Sequence, residues 1–273
     1  MPLNHEKSHE FRISLDQKID LSKFDPGDTK RLKDAETSRE ELQQNIEKIN
    51  LLQDRLYAER KQSLLIILQG IDTSGKDGTI RTVFNATGPM GVVVHSFRAP
   101  VGEELDHDYL WRAHKVVPRN GMITIFNRSY YEDVLIVRVK RFIEQKIIEE
   151  RYSQINHFEK MLTENGIVIL KFFLHISKDE QKKRLQERLD DPDKNWKFKP
   201  SDLEDRKLWS EYMEAYELML SKCSSSWAPW HLIPSDHKWA RNTAISEIVL
   251  ATLEKINPQY PVQSWKASDF KIL

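Results

Sequence analysis

Residues 63–69, Ser-Leu-Leu-Ile-Ile-Leu-Gln, run straight into Gly70-Ile-Asp-Thr-Ser-Gly75-Lys76-Asp77-Gly78-Thr79, and this junction constrains the fold more than any other stretch. The first segment is too continuously apolar for a strand with one face in water, so it reads as a buried parallel strand. Gly70, Gly75 and Lys76 then fit the P-loop (Walker A) spacing, four residues between the glycines followed by lysine. Glycines let successive backbone N–H groups face an anion, and the following helix adds its positive N-terminal dipole. Lys76 supplies a mobile cation. A glycine-rich turn alone would be weak. With a strand before it, a helix after it and lysine in register, phosphate binding is the better reading than a structural turn. Thr73, Ser74, Gly78 and Thr79 complete the expected phosphate-binding set.

Four more short apolar runs, at 92–96, 122–126, 167–174 and 231–233, read as buried strands. Helical patterns lie before and between them. The clearest, at 37–60, repeats Leu42, Ile46, Ile49, Leu52 and Leu56 at helical spacing; the others fall at 79–87, 104–117, 133–150, 152–165, 178–189, 203–221 and 239–256. Strands alternating with helices predict an α/β fold, a parallel sheet covered by helices on both faces. The expected organisation is an N-terminal arm (1–35), a single domain (36–258) with a helical lid near 190–225, and a C-terminal tail (259–273). The amphipathic helix at 37–60 permits a homo-oligomer without requiring one.

Lys plus Arg equals Asp plus Glu at 42 each, a balance that argues against a dedicated nucleic-acid binder. No apolar run approaches the roughly 18 to 20 residues of a membrane span. The N-terminus lacks the apolar core of a signal peptide, so no membrane and a cytoplasmic setting are expected. Cys223 is the sole cysteine, which excludes an intramolecular disulfide and a Cys-rich zinc site.

The loop departs from the usual pattern in being acidic. Asp77 stands where Ser or Thr commonly ligates magnesium, and Asp72 adds a second carboxylate. Such groups are unfavourable in an anion nest unless a cation offsets them, and Mg²⁺ commonly bridges carboxylates to phosphates. The alternative is that one Asp merely caps the helix. The strand at 122–126 leads into Asn127-Arg128, a Walker B-like position where an Asp would help hold Mg²⁺ and where Arg128 can meet phosphate. Arg184 and Arg188 lie four apart on one helix face, followed by Lys194, Lys197 and Lys199. They are either a solvated face or the electropositive groove that a polyanion requires.

Together these residues resemble the polyphosphate kinase 2 family. The likeness rests on GIDTSGKDGTI at 70–80, FRAPVGEELDHDYLWRAHKVVPRNG at 97–121 and FNRSYYEDVLIVRV at 126–139. It continues in RLQERLDDPDKNWKFKPSDLEDRKLW and WAPWHLIPSDHKWARN. The resemblance implies a five-stranded P-loop kinase-like core with a helical lid. It implies that Asp72, Lys76, Asp77 and residue 127 form the catalytic and magnesium-binding set, with Mn²⁺ as an alternative ion. Arg128 and Arg188 would contact transferring phosphates; Arg184 and Glu132 join the phosphate- and nucleotide-binding set. Glu132, with the long interval before Arg184, resembles the subgroup that accepts both nucleoside mono- and diphosphates. The implied reaction is reversible phosphoryl transfer between inorganic polyphosphate and purine nucleotides (AMP, ADP, GMP, GDP).

The family pattern has Asp at position 127, where this chain has Asn. Losing one well-placed electrostatic group commonly lowers a rate on the order of 10² to 10³, so impaired turnover is expected. Two rival readings are an ATP-dependent nucleotide kinase of the thymidylate kinase type and a non-catalytic nucleotide or polyphosphate sensor. Two of Trp227, Trp230 and Trp239 are expected in the core. His95, His107 and His114 read as structural or surface residues, with Asp106 and His107 candidates for an acceptor pocket.

Overall fold

The computed structural model describes residues 11–272 except 15, 16, 33, 267 and 269, so residues 1–10 of the expected arm and Leu273 of the tail lie outside it. Five parallel strands form one sheet in the order β2-β3-β1-β4-β5. They are β1 (Ser63–Gln69), β2 (Val92–Ser96), β3 (Ile123–Asn127), β4 (Ile167–His175) and β5 (Trp230–Pro234). Alternation along β1 explains its unbroken apolar sequence. Leu65 and Ile67 enter the core on one face, while Leu64, Ile66 and Leu68 enter the core on the other.

The second of those cores is covered by α1 (Ala35–Glu59), α2 (Lys76–Val83) and α9 (Lys238–Ile256). The first is covered by α4 (Glu132–Val139), α5 (Gln145–Glu164) and α8 (Trp209–Lys222). The arm joins this first core through Ile13, Ile19 and Leu21. It also forms a bridge between Arg12 and His231 beside β5. No helix among the described residues is long and apolar enough to cross a membrane.

Several elements differ from the sequence reading, each for a local reason. β2 is an edge strand rather than a buried one, with Val93 and Val94 each 46% exposed. The helix expected at 104–117 shrinks to a 3-10 turn (Gly102–Leu105) and the short α3 (Trp111–His114). There the Asp108 carboxylate accepts from Leu110 N and Trp111 N at 2.9 and 3.2 Å, a local alternative to helical bonding. The break between the helices expected at 133–150 and 152–165 comes earlier, after Val139, where Phe142 N bonds Val137 O and Arg141 N bonds Arg138 O. This is a Schellman stop with Arg141 (φ 55°) in the position usually given to glycine, so no glycine announces it.

The helical segment expected near 190–225 is not uniform. After α6 (Lys178–Asp190), a 3-10 turn (Pro192–Lys197) buries no residue and α7 (Pro200–Lys207) buries only Asp202. α8 instead buries Tyr212, Ala215, Tyr216, Met219 and Leu220 in the core. Of the three tryptophans, only Trp230 is fully buried, one fewer than expected; Trp227 is exposed and Trp239 half-buried.

Candidate active site

Register sets the site. Leu68 of β1 lies beside Asn127 of β3, and Ser96 of β2 lies on the other side of Asn127. The chain leaving β1 at Gly70 therefore turns next to the chain leaving β3 at Arg128, on the carboxyl edge where open α/β sheets bind ligands. Arg128 N donates to Leu68 O at 3.0 Å across this seam.

The loop from Gly70 to Gly75 has glycine where its geometry requires it. Gly70 and Gly75 have φ of 150° and 109°, and a Cβ on Gly70 would come within 2.8 Å of Leu174 O. α2 begins at Lys76 itself, three residues before the sequence pattern suggested, with Gly75 as its N-cap. Asp77 sits in the first turn and makes no capping bond, which removes the capping alternative for it. Thr73 Oγ1 and Ser74 Oγ are buried without a hydrogen-bond partner. Orphaned buried hydroxyls in this loop suit acceptor oxygens of a phosphate chain.

Every charged group at the mouth of the loop has an internal partner. Lys76 Nζ folds back to donate to Gly70 O at 2.6 Å and Ile71 O at 3.2 Å. Burial, with the like charge of Arg128, pushes its ammonium down to about 8 against the pull of Asp72, Glu132 and Asp77. Arg128, held in the left-handed region at φ 62°, clasps Asp72 through Nη2 and reaches Glu132 Oε2 at 3.4 Å. A non-glycine residue in that region stores strain of about 1–3 kcal/mol, and such strain clusters at functional sites. Burial alone would raise the Asp72 carboxyl, but Arg128, Lys76 and Arg188 outweigh it and hold it below the usual carboxylate range. Arg188 itself donates to Lys197 O at 3.1 Å and lies 3.5 Å from Asp202 Oδ2. Asn127 Nδ2 donates to Asp77 Oδ1 at 2.7 Å.

The structure thus brings Asp72, Lys76, Asp77, Asn127, Arg128, Glu132 and Arg188 to one edge, but it separates Arg184 and Thr79 from them. Arg184 is buried and directs its whole guanidinium at protein atoms. It bonds Thr73 O, Ser74 O, Ser235 O, Asp236 O and the Glu180 carboxylate at 2.8–3.4 Å. It braces the loop from behind rather than facing a phosphate. Thr79 is fully buried and its Oγ1 lies 3.3 Å from Asn242 Oδ1, facing α9. Asp106 and His107 are exposed, and His107 stacks on Trp111 at 3.9 Å. His95 packs against Phe97 and Phe126, the structural role expected of it.

One residue escaped the sequence reading. Arg241, 2% exposed on the first turn of α9, donates through Nη1 to Ser74 O at 3.2 Å. Burial first, and then the like charge of Arg184, push it down to about 9. The motif HKWARN contained it, but a charged residue at the start of a surface-length helix carries no sign that it is buried.

Among the described residues no cluster of three or more His, Cys, Asp or Glu side chains could cage a metal ion. Asp72 and Asp77 are a two-carboxylate set, and Mg²⁺ is commonly held by one or two carboxylates together with substrate phosphates. The donors present therefore fit a magnesium ion that arrives with phosphate.

Comparison with known proteins agrees with this geometry. A crystal structure of polyphosphate kinase 2 from Arthrobacter aurescens superposes with a TM-score of 0.92 at 40% identity, covering 96% of this chain and 94% of that one. An AMP/ADP-polyphosphate phosphotransferase of Meiothermus ruber is 50% identical over 92% of this chain and 94% of its own length. An ADP-polyphosphate phosphotransferase of Rhodopseudomonas palustris is 41% identical over 93% of this chain and 92% of its own. The profile described as polyphosphate kinase 2 matches residues 31–261, so the likeness spans the sheet, the phosphate loop and the helices from α1 to α9, and the chain belongs to the polyphosphate kinase 2 family.

Proposed function

We propose that this chain moves phosphoryl groups reversibly between inorganic polyphosphate and nucleoside mono- and diphosphates, AMP, ADP, GMP and GDP, with Mg²⁺ (or Mn²⁺) accompanying the phosphates. The observation that carries this reading is the cationic mouth of the loop, where Arg128 is paired with Asp72 and the charges of Lys76 and Arg188 act on the same carboxylate. A phosphate chain would take over these partners. Lys76 would turn from Gly70 O and Ile71 O to the terminal phosphate, and Arg128 and Arg188 would hold its equatorial oxygens. Phosphoryl transfer needs chiefly positioning and charge neutralisation, which this set supplies. Asp72 and Asp77, with Asn127, would hold the magnesium ion, which would supply neutralisation of phosphate charge. Exchange of one phosphoanhydride for another supports reversibility. The names of the Meiothermus and Rhodopseudomonas relatives support AMP and ADP as acceptors, while GMP and GDP rest on the family resemblance. The balanced charge supports small polyanions over nucleic acid, and the cytoplasm is the proposed compartment.

Asn127 sets the expected level of activity. Its amide presents a donor to Asp77, where a carboxylate would present oxygen to a cation. We infer that the chain binds its ligands and turns over slowly. The test is ADP formation from AMP with Mg²⁺, comparing polyphosphate with ATP as donor, together with ATP formation from ADP and polyphosphate, for the chain and for Asn127→Asp. Polyphosphate should be the better donor in both and Asn127→Asp the faster protein. ATP as the preferred donor would instead support a nucleotide kinase of the thymidylate kinase type. Tight binding with no turnover in either protein would support a sensor.

A further inference from the structure

Two buried guanidiniums meet behind the phosphate loop, and one of them has no counter-charge among the described residues. Arg184 is paired with Glu180 at 2.8 Å. Arg241 has neutral partners: Nε and Nη2 donate to Asn242 Oδ1 at 3.1 and 3.0 Å, and Nη1 to Ser74 O at 3.2 Å. Among the described residues no carboxylate pairs with it, and it lies beside the like charge of Arg184. Its contact with the loop is close. A Cβ on Gly75 would fall 1.8 Å from Arg241 Nη1, and one on Gly78 would fall 3.4 Å from Nη2.

Burying an uncompensated charge is unfavourable, and the fold gains no ion pair in return. The benefit must lie in what the charge faces. Ser74 O accepts from both arginines, at 3.2 Å from Arg241 and 3.4 Å from Arg184. In a planar trans peptide the Gly75 N–H points opposite to Ser74 O. Holding that carbonyl backward therefore aims the Gly75 amide forward, away from the guanidiniums. The same cation adds a fixed positive potential directly behind the anion site, in a setting where water screens it little.

We propose that Arg241 is a positioning residue for the polyanion: it backs the Ser74–Gly75 peptide and supplies uncompensated positive charge that a bound phosphate chain completes. This rests on the reading that the 70–79 loop receives polyphosphate. It separates Arg241 from a core-packing arginine, whose loss would weaken the fold and leave binding by the folded protein unchanged.

The experiment measures binding of inorganic tripolyphosphate by calorimetry and the melting temperature of the ligand-free chain, for Arg241→Met, Arg241→Lys and Lys76→Met. Met keeps the bulk against Gly75 and removes charge and donors; Lys keeps the charge. Arg241→Met should bind tripolyphosphate at least about tenfold more weakly, as expected for loss of a hydrogen-bonded charge. Its melting temperature should be equal or higher, because the buried cation is gone. Arg241→Lys should recover most of the affinity. Unchanged affinity in Arg241→Met, while Lys76→Met loses binding, would overturn the role of Arg241 and leave the loop reading intact. Unchanged affinity in Lys76→Met would remove the loop reading, and this inference with it.

Discussion

Asn127 Nδ2 donates to Asp77 Oδ1 at 2.7 Å, joining the end of β3 to the first turn of α2. Asn127→Asp would replace that donor by a second carboxylate at the same contact. Like charges so close destabilise each other unless a cation intervenes. We therefore expect Asn127→Asp to melt lower than the parent in EDTA. Adding Mg²⁺ with tripolyphosphate should raise it by more than it raises the parent, and turnover should rise on the order of 10² to 10³. Thermal melts in the two buffers check this; equal metal responses in the two proteins would sink it.

Gly75, like Gly70, stands where the loop leaves no room for a side chain. With φ at 109° and Arg241 Nη1 only 1.8 Å from where a Cβ would stand, Gly75→Ala forces both strain and displacement of a buried group. The two effects together amount to about 2–5 kcal/mol. Gly102, also at positive φ (55°), has open space around its missing Cβ. Gly102→Ala should lose about 1 kcal/mol from backbone strain alone. Urea unfolding of the pair measures the contrast, and similar losses would contradict the close packing behind the loop.

What the sequence disclosed follows from where each signal is local. Gly70, Gly75 and Lys76 announce a phosphate loop because their spacing is itself the structure. The five strands were legible from apolar runs of strand length. The edge position of β2 was not, since Val92-Val93-Val94 is as apolar as a buried strand and only the strand order exposes it. Arg184 and Arg241 illustrate the same limit at the site. An arginine on an amphipathic helix looks alike whether it faces a ligand or holds a carbonyl 111 or 167 residues away in sequence. Asn127 was readable only against the family pattern, and its bond to Asp77 only from the fold.

Beneath the site, Lys171 of β4 and Glu159 of α5 form a fully buried ion pair at 2.6 Å. Lys171 also donates to Tyr131 Oη and Cys223 O, and Glu159 accepts from the hydroxyls of Tyr130 and Tyr131. These tyrosines precede Glu132, so the network anchors the turn that carries Arg128. Removing one partner leaves a buried charge uncompensated, a loss of about 3–5 kcal/mol. Lys171→Met and Glu159→Leu should each unfold at much lower urea than the parent, and the double variant should regain a good part of the loss. Additive losses in the double variant would show that the two side chains do not act as a pair.

His175, at the end of β4, is buried with Nε2 3.2 Å from Phe24 O, tying the N-terminal arm to the sheet beside the site. Burial lowers its pKa below the ordinary histidine value; the Phe24 carbonyl and nearby Asp236 oppose that without reversing it. The folded protein thus holds the neutral ring, while the unfolded chain binds a proton near 6.5. The unfolded state then binds more protons between the folded and unfolded pKa values. Stability from this group is complete above about 6.5 and is lost as pH falls through the lower folded value. Glutamine keeps an N–H donor at that site and does not titrate. Between pH 7.5 and 5, the parent's melting temperature should fall more steeply than that of His175→Gln. Parallel melting curves across that range would show that His175 stays uncharged, or is equally protonated, in both states.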